Sequence, residues 1–255
     1  MARTIIAGNW KMNHGPKETQ QFLSNLSDKY FDKPNVEAVV CPPFISLPIF
    51  QEKVPKWLSS GAQNMYFEES GAFTGEISPK MLADLGVKYV IIGHSERRGL
   101  FNEKDDDVNK KVRIALKYGL IPIICVGETE NERDNNKTFE VVERQVKKAI
   151  CDTVKETLKC LVFAYEPVWA IGTGKASSGK DAEEVCEKIR GVLSSMGDLN
   201  QANEIPILYG GSVKPENLEE YLSQPNINGA LVGGKSLDAN SFSELLDLAG
   251  GYLND

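Results

Sequence analysis

Eight short apolar runs, spaced along the whole chain, most constrain how this sequence can fold. Most of them lack the alternation of polar and apolar residues that marks a strand with one solvated face. Strands that are covered on both faces have this character, as in a parallel sheet. The runs are Thr4 to Ala7, Val36 to Cys41, Trp57 to Ala62, Tyr89 to Ile92, Ile121 to Val126, Leu161 to Tyr165, Ile205 to Tyr209 and Gly229 to Val232.

Stretches with helical periodicity separate most of these predicted strands. Alternation of strand and helix predicts right-handed crossovers between parallel strands. Eight such units in 255 residues favour a closed (β/α)8 barrel over an open sheet, and no linker divides the chain, so we expect one α/β domain over residues 1–255. The helical stretches are Lys17 to Tyr30, Asp105 to Tyr118, Thr138 to Glu156, Asp181 to Ser195, Pro215 to Leu222 and Ser241 to Leu248.

Charge and composition argue against several classes of protein. The formal charge of −7 disfavours a binder of nucleic acid or anionic membranes, which needs an excess of Lys and Arg. The first ten residues, MARTIIAGNW, hold too few apolar residues for a signal peptide or a membrane span, so we expect a cytoplasmic protein. Five cysteines without paired spacing and only two histidines predict reduced thiols and no metal site.

A cation and two glycine turns follow strands whose ends should meet at one mouth of the barrel. Lys11 lies just beyond the first strand, and Gly210-Gly211-Ser212 and Gly233-Gly234-Lys235 follow the seventh and eighth. Glycine lets a backbone approach a ligand closely, and amides at such turns can bind phosphate. Each feature alone also fits a solvated lysine or an ordinary turn. Together they favour an anion site.

His94 and Glu166 are the residues at that mouth that could move protons. His94 precedes a predicted helix start at Ser95, which disfavours imidazolium, so we expect a neutral imidazole that can donate a hydrogen bond. Glu166 ends an apolar strand, so we expect burial to raise its pKa and make it a stronger base. A structural histidine and a salt-bridged glutamate are the alternatives.

The segment after Glu166 has the composition of a hinged lid. Pro167 fixes one backbone angle, residues 168–171 are apolar, and Gly172-Thr173-Gly174 can take up large backbone changes. Closure of such a lid would exclude water and strengthen the electrostatics around Glu166. An immobile apolar loop is the alternative.

Five motifs, in order and spacing along the whole chain, resemble those of the triosephosphate isomerases. The run from Tyr165 to Lys175 is the most specific of them. The resemblance implies a TIM barrel that interconverts dihydroxyacetone phosphate and D-glyceraldehyde 3-phosphate in glycolysis and gluconeogenesis, without cofactor or metal. The motifs are Asn9-Trp10-Lys11, Gly93 to Arg98 (GHSERR), Ala164 to Lys175 (AYEPVWAIGTGK), Tyr209 to Val213 (YGGSV) and Leu231 to Gly234 (LVGG).

The resemblance also implies a role for each matching residue. Glu166 would remove the proton next to the carbonyl, and neutral His94 would polarise that carbonyl and move protons between the two oxygens. Lys11 would stabilise the enediolate and phosphate charges, and Asn9 would orient the oxyanion. Glu96 would lie near Lys11, outside the substrate's contacts, and help to set its geometry. The implied phosphate ligands are the backbone amides of Gly172, Ser212, Gly233 and Gly234.

The run from Asn64 to Pro79 has no helical period and predicts a long loop, whose aromatic residues favour contact with a partner. In the family this loop, here Gln63 to Ser78, carries the dimer interface. The resemblance implies that its tip enters the neighbouring subunit, where Thr74 would approach the partner's Asn9 and the partner's His94. We therefore expect a homodimer, with interface residues Phe73, Thr74, Gly75 and Glu76.

Three positions depart from the commoner family pattern. Asn135-Asn136 replaces a frequent Ala-Gly, and because Asn tolerates left-handed geometry the turn should survive. Lys235 replaces a small residue, and we expect its side chain to be solvated. Ser178-Gly179 stands where a proline often begins the helix, which predicts a looser helix start.

Two other functions stay open at this stage. One is a Schiff-base lyase with Lys11 as nucleophile, although such lysines usually lie on a strand deep in the barrel. The other is a sugar-phosphate binder without catalysis, which would need neither Glu166 nor a lid.

Overall fold

The computed structural model describes residues 2–27, 35–171, 177–197 and 199–252. The strands in this part of the chain are β1 Thr4–Asn9, β2 Val36–Cys41, β3 Leu58–Ala62, β4 Tyr89–Ile92, β5 Ile121–Val126, β6 Val162–Tyr165, β7 Ile207–Tyr209 and β8 Gly229–Val232. All pair in parallel and in sequence order, and β1 pairs with β8 to close the barrel. The predicted strands and the predicted barrel are therefore confirmed.

The helices alternate with the strands and cover the outside of the barrel. In the described residues they are α1 Pro16–Ser27, α2 Leu47–Lys53, α3 Pro79–Asp84, α4 Ser95–Leu100, α5 Asp105–Lys117, α6 Glu130–Asp134, α7 Thr138–Ala149, α8 Gly179–Met196, α9 Leu199–Glu204, α10 Pro215–Leu222 and α11 Ala239–Tyr252. None of these helices has both the length and the apolar character needed to cross a membrane.

The predicted helix from Thr138 to Glu156 is too long. It ends at Ala149, because Asp152 adopts a left-handed φ of 57° that interrupts the helical path. A 3-10 helix, Lys155–Cys160, then leads into β6. The predicted end of the first helix, at Tyr30, lies outside the described residues.

Strand side chains alternate between the barrel axis and the surrounding helices, and both sets are buried. This explains why the strands are apolar without alternation. The same alternation, continued past the strand ends, places Asn9 two residues beyond the inward Ala7 and Glu166 two residues beyond the inward Ala164. The axis is filled by Ile5, Ala7, Val39, Cys41, Tyr89, Ile91, Ile123, Cys125, Val162, Ala164, Leu208 and Leu231.

Closure of the barrel depends on one glycine. Gly229 begins β8 opposite Ile5 with a φ of 135°, and a Cβ there would overlap the carbonyl oxygen of Ile5. Only glycine allows this close approach. The two edge strands therefore meet, which brings all eight carboxyl ends to a single mouth.

Candidate active site

A cavity of about 590 Å³ opens at the carboxyl ends of the strands. It is lined by residues that follow β1, β4, β6, β7 and β8, as the positions of the motifs predicted. The lining residues are Asn9, Lys11, Asn13, His94, Glu166, Ile171, Gly210, Gly211, Ser212, Val213, Lys214, Leu231, Gly233, Gly234 and Lys235.

The Glu166 carboxylate lies at the centre of a hydrogen-bonded group and is only 2% exposed. Its Oε1 is 3.0 Å from Nε2 of His94, and its Oε2 accepts a hydrogen bond of 2.9 Å from the Ser95 N–H. Two glycines make room for it. A Cβ at Gly127 would overlap the Glu166 carbonyl oxygen, and one at Gly210 would lie 2.8 Å from Glu166 Cγ.

The backbone of α4 fixes the tautomer of His94. Nδ1 accepts a hydrogen bond of 3.2 Å from the Glu96 N–H, so a proton on Nδ1 would destroy that bond. The ring proton therefore lies on Nε2, facing Glu166. This hydrogen bond fits the predicted neutral imidazole, whereas the raised pKa of His94 favours the charged ring.

The predicted direction of the pKa shift at Glu166 is wrong for this arrangement. Burial raises the pKa of its carboxyl, but the His94 ring and the Ser95 N–H lower it by more, so it lies below its ordinary value. Burial lowers the pKa of His94, whereas the Glu166 carboxylate raises it by more. Burial is the largest single effect on each group, and the contact between Glu166 and His94 opposes it and reverses the direction of both pKa shifts.

The backbone of Lys11 is held in a strained conformation. Its φ is 53°, which is uncommon for a residue with a side chain. Its N–H donates to Asn9 Oδ1 at 3.0 Å, and its carbonyl accepts a hydrogen bond of 2.8 Å from Gln63 Nε2. Its ammonium lies 2.6 Å from Glu96 Oε1, as the supporting role of Glu96 requires.

Gln63 holds the Lys11 backbone through contacts that the sequence did not reveal. Its side-chain amide donates to the carbonyls of both Lys11 and Cys41, the latter at 2.9 Å. A single glutamine at the end of β3 carries no signal of this role, because the two carbonyls lie far from it in sequence.

Two ion-paired side chains fix the turn that carries His94. Gly93 has a φ of 73°, and its N–H donates to Glu103 Oε1 at 3.0 Å. Its carbonyl accepts a hydrogen bond of 2.7 Å from Arg98 Nε, and Arg98 is paired with Asp105 at 2.6 Å. Both backbone polar groups of Gly93 are therefore held by hydrogen bonds to charged side chains.

The glycine turns after β7 and β8 lie side by side at the cavity. A Cβ at Gly233 would point toward Lys11, 3.8 Å from its Cε, and one at Gly234 would meet nothing within 4 Å. The backbone of the turn after β8 is thus open to a ligand near the Lys11 side chain, whereas Gly210 and Gly211 pack closely against Glu166 and Tyr209. The predicted ligand Gly172 lies outside the described residues, as do the other residues from 173 to 176.

The chain on either side of residues 172–176 is anchored to the barrel. Before it, Trp169 Nε1 donates to the buried Glu128 at 2.9 Å, and Tyr165 OH donates to the same carboxylate at 3.2 Å. After it, the Ser177 N–H donates to Tyr209 OH at 3.2 Å. The sequence predicted a hinged segment here but did not identify Glu128 as its anchor.

The departures from the family pattern are accommodated locally. Asn136 takes a φ of 55°, so the left-handed geometry predicted for Asn135-Asn136 is confirmed. The predicted looser start of α8 is wrong, because Ser178 accepts a hydrogen bond of 3.1 Å from the Asp181 N–H and caps the helix. Lys235 is exposed, as expected, but it also lines the cavity.

The predicted interface loop is exposed at its tip, while Glu69 in the same loop is paired with Lys117 of α5. Its residues from Gly71 to Glu76 are exposed, and Tyr66 packs against Phe67 and Phe73 with ring centroids 4.2 and 4.8 Å away. A second cavity of about 190 Å³ adjoins the first and is lined by Asn9, Lys11, Met12, Phe44, Gln63, Asn64, His94, Glu96, Arg97 and Phe101. Among the described residues, no group of three or more His, Cys, Asp or Glu could hold a metal ion.

Comparison with known proteins agrees with this geometry. Residues 4–249 match the model of the family described as triosephosphate isomerase. The chain is 63% identical over 255 residues to the triosephosphate isomerase of Natranaerobius thermophilus, which covers 100% of this chain and 99% of the relative. The chain therefore belongs to the triosephosphate isomerase family.

Proposed function

We propose that the protein interconverts dihydroxyacetone phosphate and D-glyceraldehyde 3-phosphate, with Glu166 as the base that moves the proton. The observation that carries this proposal is the buried Glu166 carboxylate, 3.0 Å from His94 Nε2, in a cavity that also contains Lys11. Membership of the family makes the chain an isomerase of triose phosphates. We assign the role of each residue in the reaction from its position in the cavity.

The reaction needs a base and a stabilised oxyanion. Glu166 takes the proton from the carbon next to the carbonyl, the C–H electron pair forms the carbon–carbon double bond of an enediolate, and the carbonyl oxygen becomes negative. A proton then passes between the two oxygens through His94, and Glu166 returns its proton to the neighbouring carbon. Atoms and electrons balance within the substrate, so the reaction consumes no oxidant.

Three groups are arranged to stabilise the negative oxygen. His94 presents its Nε2 proton, and Lys11 presents an ammonium that Glu96 holds at 2.6 Å. Because Asn9 Oδ1 accepts the Lys11 N–H, the amide nitrogen of Asn9 is the atom left to donate to the substrate. All three are held by backbone or ion-pair contacts before the substrate binds.

Glu166 must exchange partners before it acts as a base. While it accepts hydrogen bonds from Ser95 and His94, its pKa is held below the ordinary value. Substrate entry gives the His94 proton a new acceptor, the carbonyl oxygen. The carboxylate then loses donors while it stays buried, so its pKa rises and it becomes a stronger base.

The phosphate would lie over the glycine turns. We assign its ligands as the backbone amides of Ser212, Gly233 and Gly234, because all three line the cavity and the backbone at Gly233 and Gly234 is open. Gly172 is the fourth proposed ligand. The apolar segment that precedes it, which includes the cavity residue Ile171, would act as the lid.

We further propose that the active form is a homodimer through the loop from Gln63 to Ser78. The cavity of about 190 Å³ beside Lys11 and His94 is bordered by Met12, which is 96% exposed, and by Phe101, which is 65% exposed. Such exposed apolar side chains favour a protein contact. Thr74 and its neighbours Phe73, Gly75 and Glu76, from a second copy, would fill this cavity. A Thr74→Arg variant should sediment as a monomer with activity reduced at least tenfold, and a fully active monomer would refute the proposal.

We place this activity in the cytoplasm, as a step of glycolysis and gluconeogenesis. All five cysteines are free thiols, which fits a reducing compartment.

The direct test compares the wild type with Glu166→Gln in a coupled assay of D-glyceraldehyde 3-phosphate conversion. General-base catalysis predicts a loss of kcat of about 10³-fold in the variant. Glu37→Gln is a matched control, because Glu37 is paired with Arg3 at 3.0 Å at the opposite end of the barrel and should affect only stability. An inactive wild type would refute the substrate, and equal activity of Glu166→Gln would refute the base. Trapping of the substrate on Lys11 by borohydride would instead indicate a Schiff-base lyase.

A further inference from the structure

The catalytic groups alone do not make the cavity attractive to an anion. Among the described residues that line it, Lys11, Glu166, Lys214 and Lys235 carry formal charge. The ammonium of Lys11 is balanced by Glu96 at 2.6 Å, and Glu166 adds a negative charge. The chain as a whole carries −7. Lys11, Glu96 and Glu166 together therefore supply no net positive charge for a phosphate dianion.

Lys214 and Lys235 are the cations that change this balance. Both are exposed and both line the cavity. Neither takes part in the ion pairs of 4.0 Å or less that the described residues form. Within the part of the chain that the structure describes, no carboxylate is paired with either charge.

The backbone under each of these lysines is fixed. The Lys214 N–H donates to Asn217 Oδ1 at 2.8 Å, at the start of α10. Lys235 stands on a 3-10 turn in which the buried Ser236 Oγ donates to the Gly233 carbonyl at 2.7 Å. Because β7 and β8 are neighbours in the barrel, the two lysines stand on adjacent, rigid turns.

We propose that Lys214 and Lys235 form a cationic rim that draws the phosphate dianion into the cavity and takes no part in proton transfer. The inference rests on the proposed function for the identity of the substrate. Charges at a cleft raise the rate of capture of an oppositely charged ligand, and their reach is a Debye length of about 10 Å at 0.1 M salt. The rim should therefore act on kcat/KM and lose its effect as salt increases.

The test is the double variant Lys214→Gln/Lys235→Gln, assayed at two ionic strengths. We expect kcat/KM to fall about five- to tenfold at ~10 mM salt and less than about twofold at ~0.5 M, because salt screens exposed charges. We expect kcat to stay within about twofold of the wild type, since substrate capture precedes the chemical step.

A matched control removes the same charge elsewhere. Lys53 and Lys56 are exposed and precede β3, at the opposite end of the barrel. Lys53→Gln/Lys56→Gln should keep both the kcat/KM and the salt dependence of the wild type. If it reproduces the loss, the effect reports net charge and the rim is refuted.

Two results would overturn the proposal directly. One is a rim variant whose kcat/KM depends on salt as the wild type does, and the other is a rim variant whose kcat falls more than tenfold. Calorimetric titration with inorganic phosphate separates this inference from the proposed function. If the wild type does not isomerise triose phosphates but binds phosphate several-fold more tightly than the rim variant at low salt, the proposed function fails and the rim stands. Equal phosphate binding by both refutes the rim.

Discussion

The Gln63→Leu variant tests whether the strained backbone of Lys11 matters for activity. Leucine keeps similar bulk but donates no hydrogen bond. The substitution removes the N–H···O contacts of 2.8 Å to the Lys11 carbonyl and 2.9 Å to the Cys41 carbonyl. The substitution leaves the partner of the Lys11 ammonium, Glu96, unchanged.

Two effects on stability nearly cancel in this variant. Loss of two hydrogen bonds costs about 2 kcal/mol, at about 1 kcal/mol each. Release of Lys11 from its φ of 53° recovers on the order of 1–3 kcal/mol if the backbone relaxes. The free energy of unfolding should therefore change by less than about 2 kcal/mol.

Activity should change far more than stability. Relaxation of the Lys11 backbone displaces its ammonium from the cavity, and a misplacement of about 1 Å can cost a factor of about 100 in rate. We expect kcat/KM to fall about 30- to 100-fold, measured in the coupled assay beside urea unfolding.

Gln51→Leu is the matched control for this variant. Gln51 Nε2 also donates to a backbone carbonyl, that of Leu85, at 3.0 Å, but in α2 and away from the mouth. Its loss should lower the free energy of unfolding by about 1 kcal/mol and leave kcat/KM unchanged. If Gln63→Leu keeps kcat/KM within threefold of the wild type, Gln63 does not position Lys11 and the reasoning fails.

Two further substitutions test the supports of the site. Gly127→Ala should lower kcat at least tenfold and destabilise the fold, because its Cβ would overlap the Glu166 carbonyl oxygen. The control is Gly191→Ala in α8, where the added Cβ meets open space; it should raise the free energy of unfolding by about 0.5–1 kcal/mol in thermal or urea unfolding. A fully active Gly127→Ala would contradict this packing. Burial raises the pKa of Glu103, but Lys111 and Arg97 lower it by more, so its pKa in the folded protein lies below 4.5. The ionised Glu103 therefore stabilises the fold fully above pH 4.5, and this contribution is lost as the pH falls through the folded-state pKa. Glu103→Gln should therefore cost about 3 kcal/mol at pH 7 in urea unfolding, and its difference from the wild type should shrink as the pH falls below 4.5; a constant difference would refute the shift.

The fold could be predicted from the sequence because each strand is a local signal. Runs such as Tyr89 to Ile92 and Ile121 to Val126 are apolar on both faces, and only a parallel sheet covered by helices buries both. The predicted end of a helix was wrong where a single residue determines it, as after α7, where Asp152 adopts a left-handed φ. Helical periodicity continues past that residue and gives no warning of its φ.

The positions of Asn9 and Glu166 could also be predicted, because strand alternation carries them into the barrel axis. What could not be predicted is the set of side chains that hold the site together. Gln63 and Glu128 contact site residues that are 22 to 52 positions away in sequence. Their residue types are common at strand ends, so only the folded chain reveals them.

The pKa of Glu166 is lowered, whereas the sequence predicted that it would be raised, and this difference bears on function. The sequence shows that the carboxylate is buried, which raises its pKa, but not that His94 and Ser95 will donate to it, which lowers the pKa by more. A base left in that state would be weak. The ligand that removes the His94 donor is one with a carbonyl oxygen for Nε2 to bind, so the substrate itself strengthens the base that attacks it. A triose phosphate has this oxygen and inorganic phosphate lacks a carbonyl, so the proposed proton transfer by Glu166 would be coupled to the presence of the correct substrate.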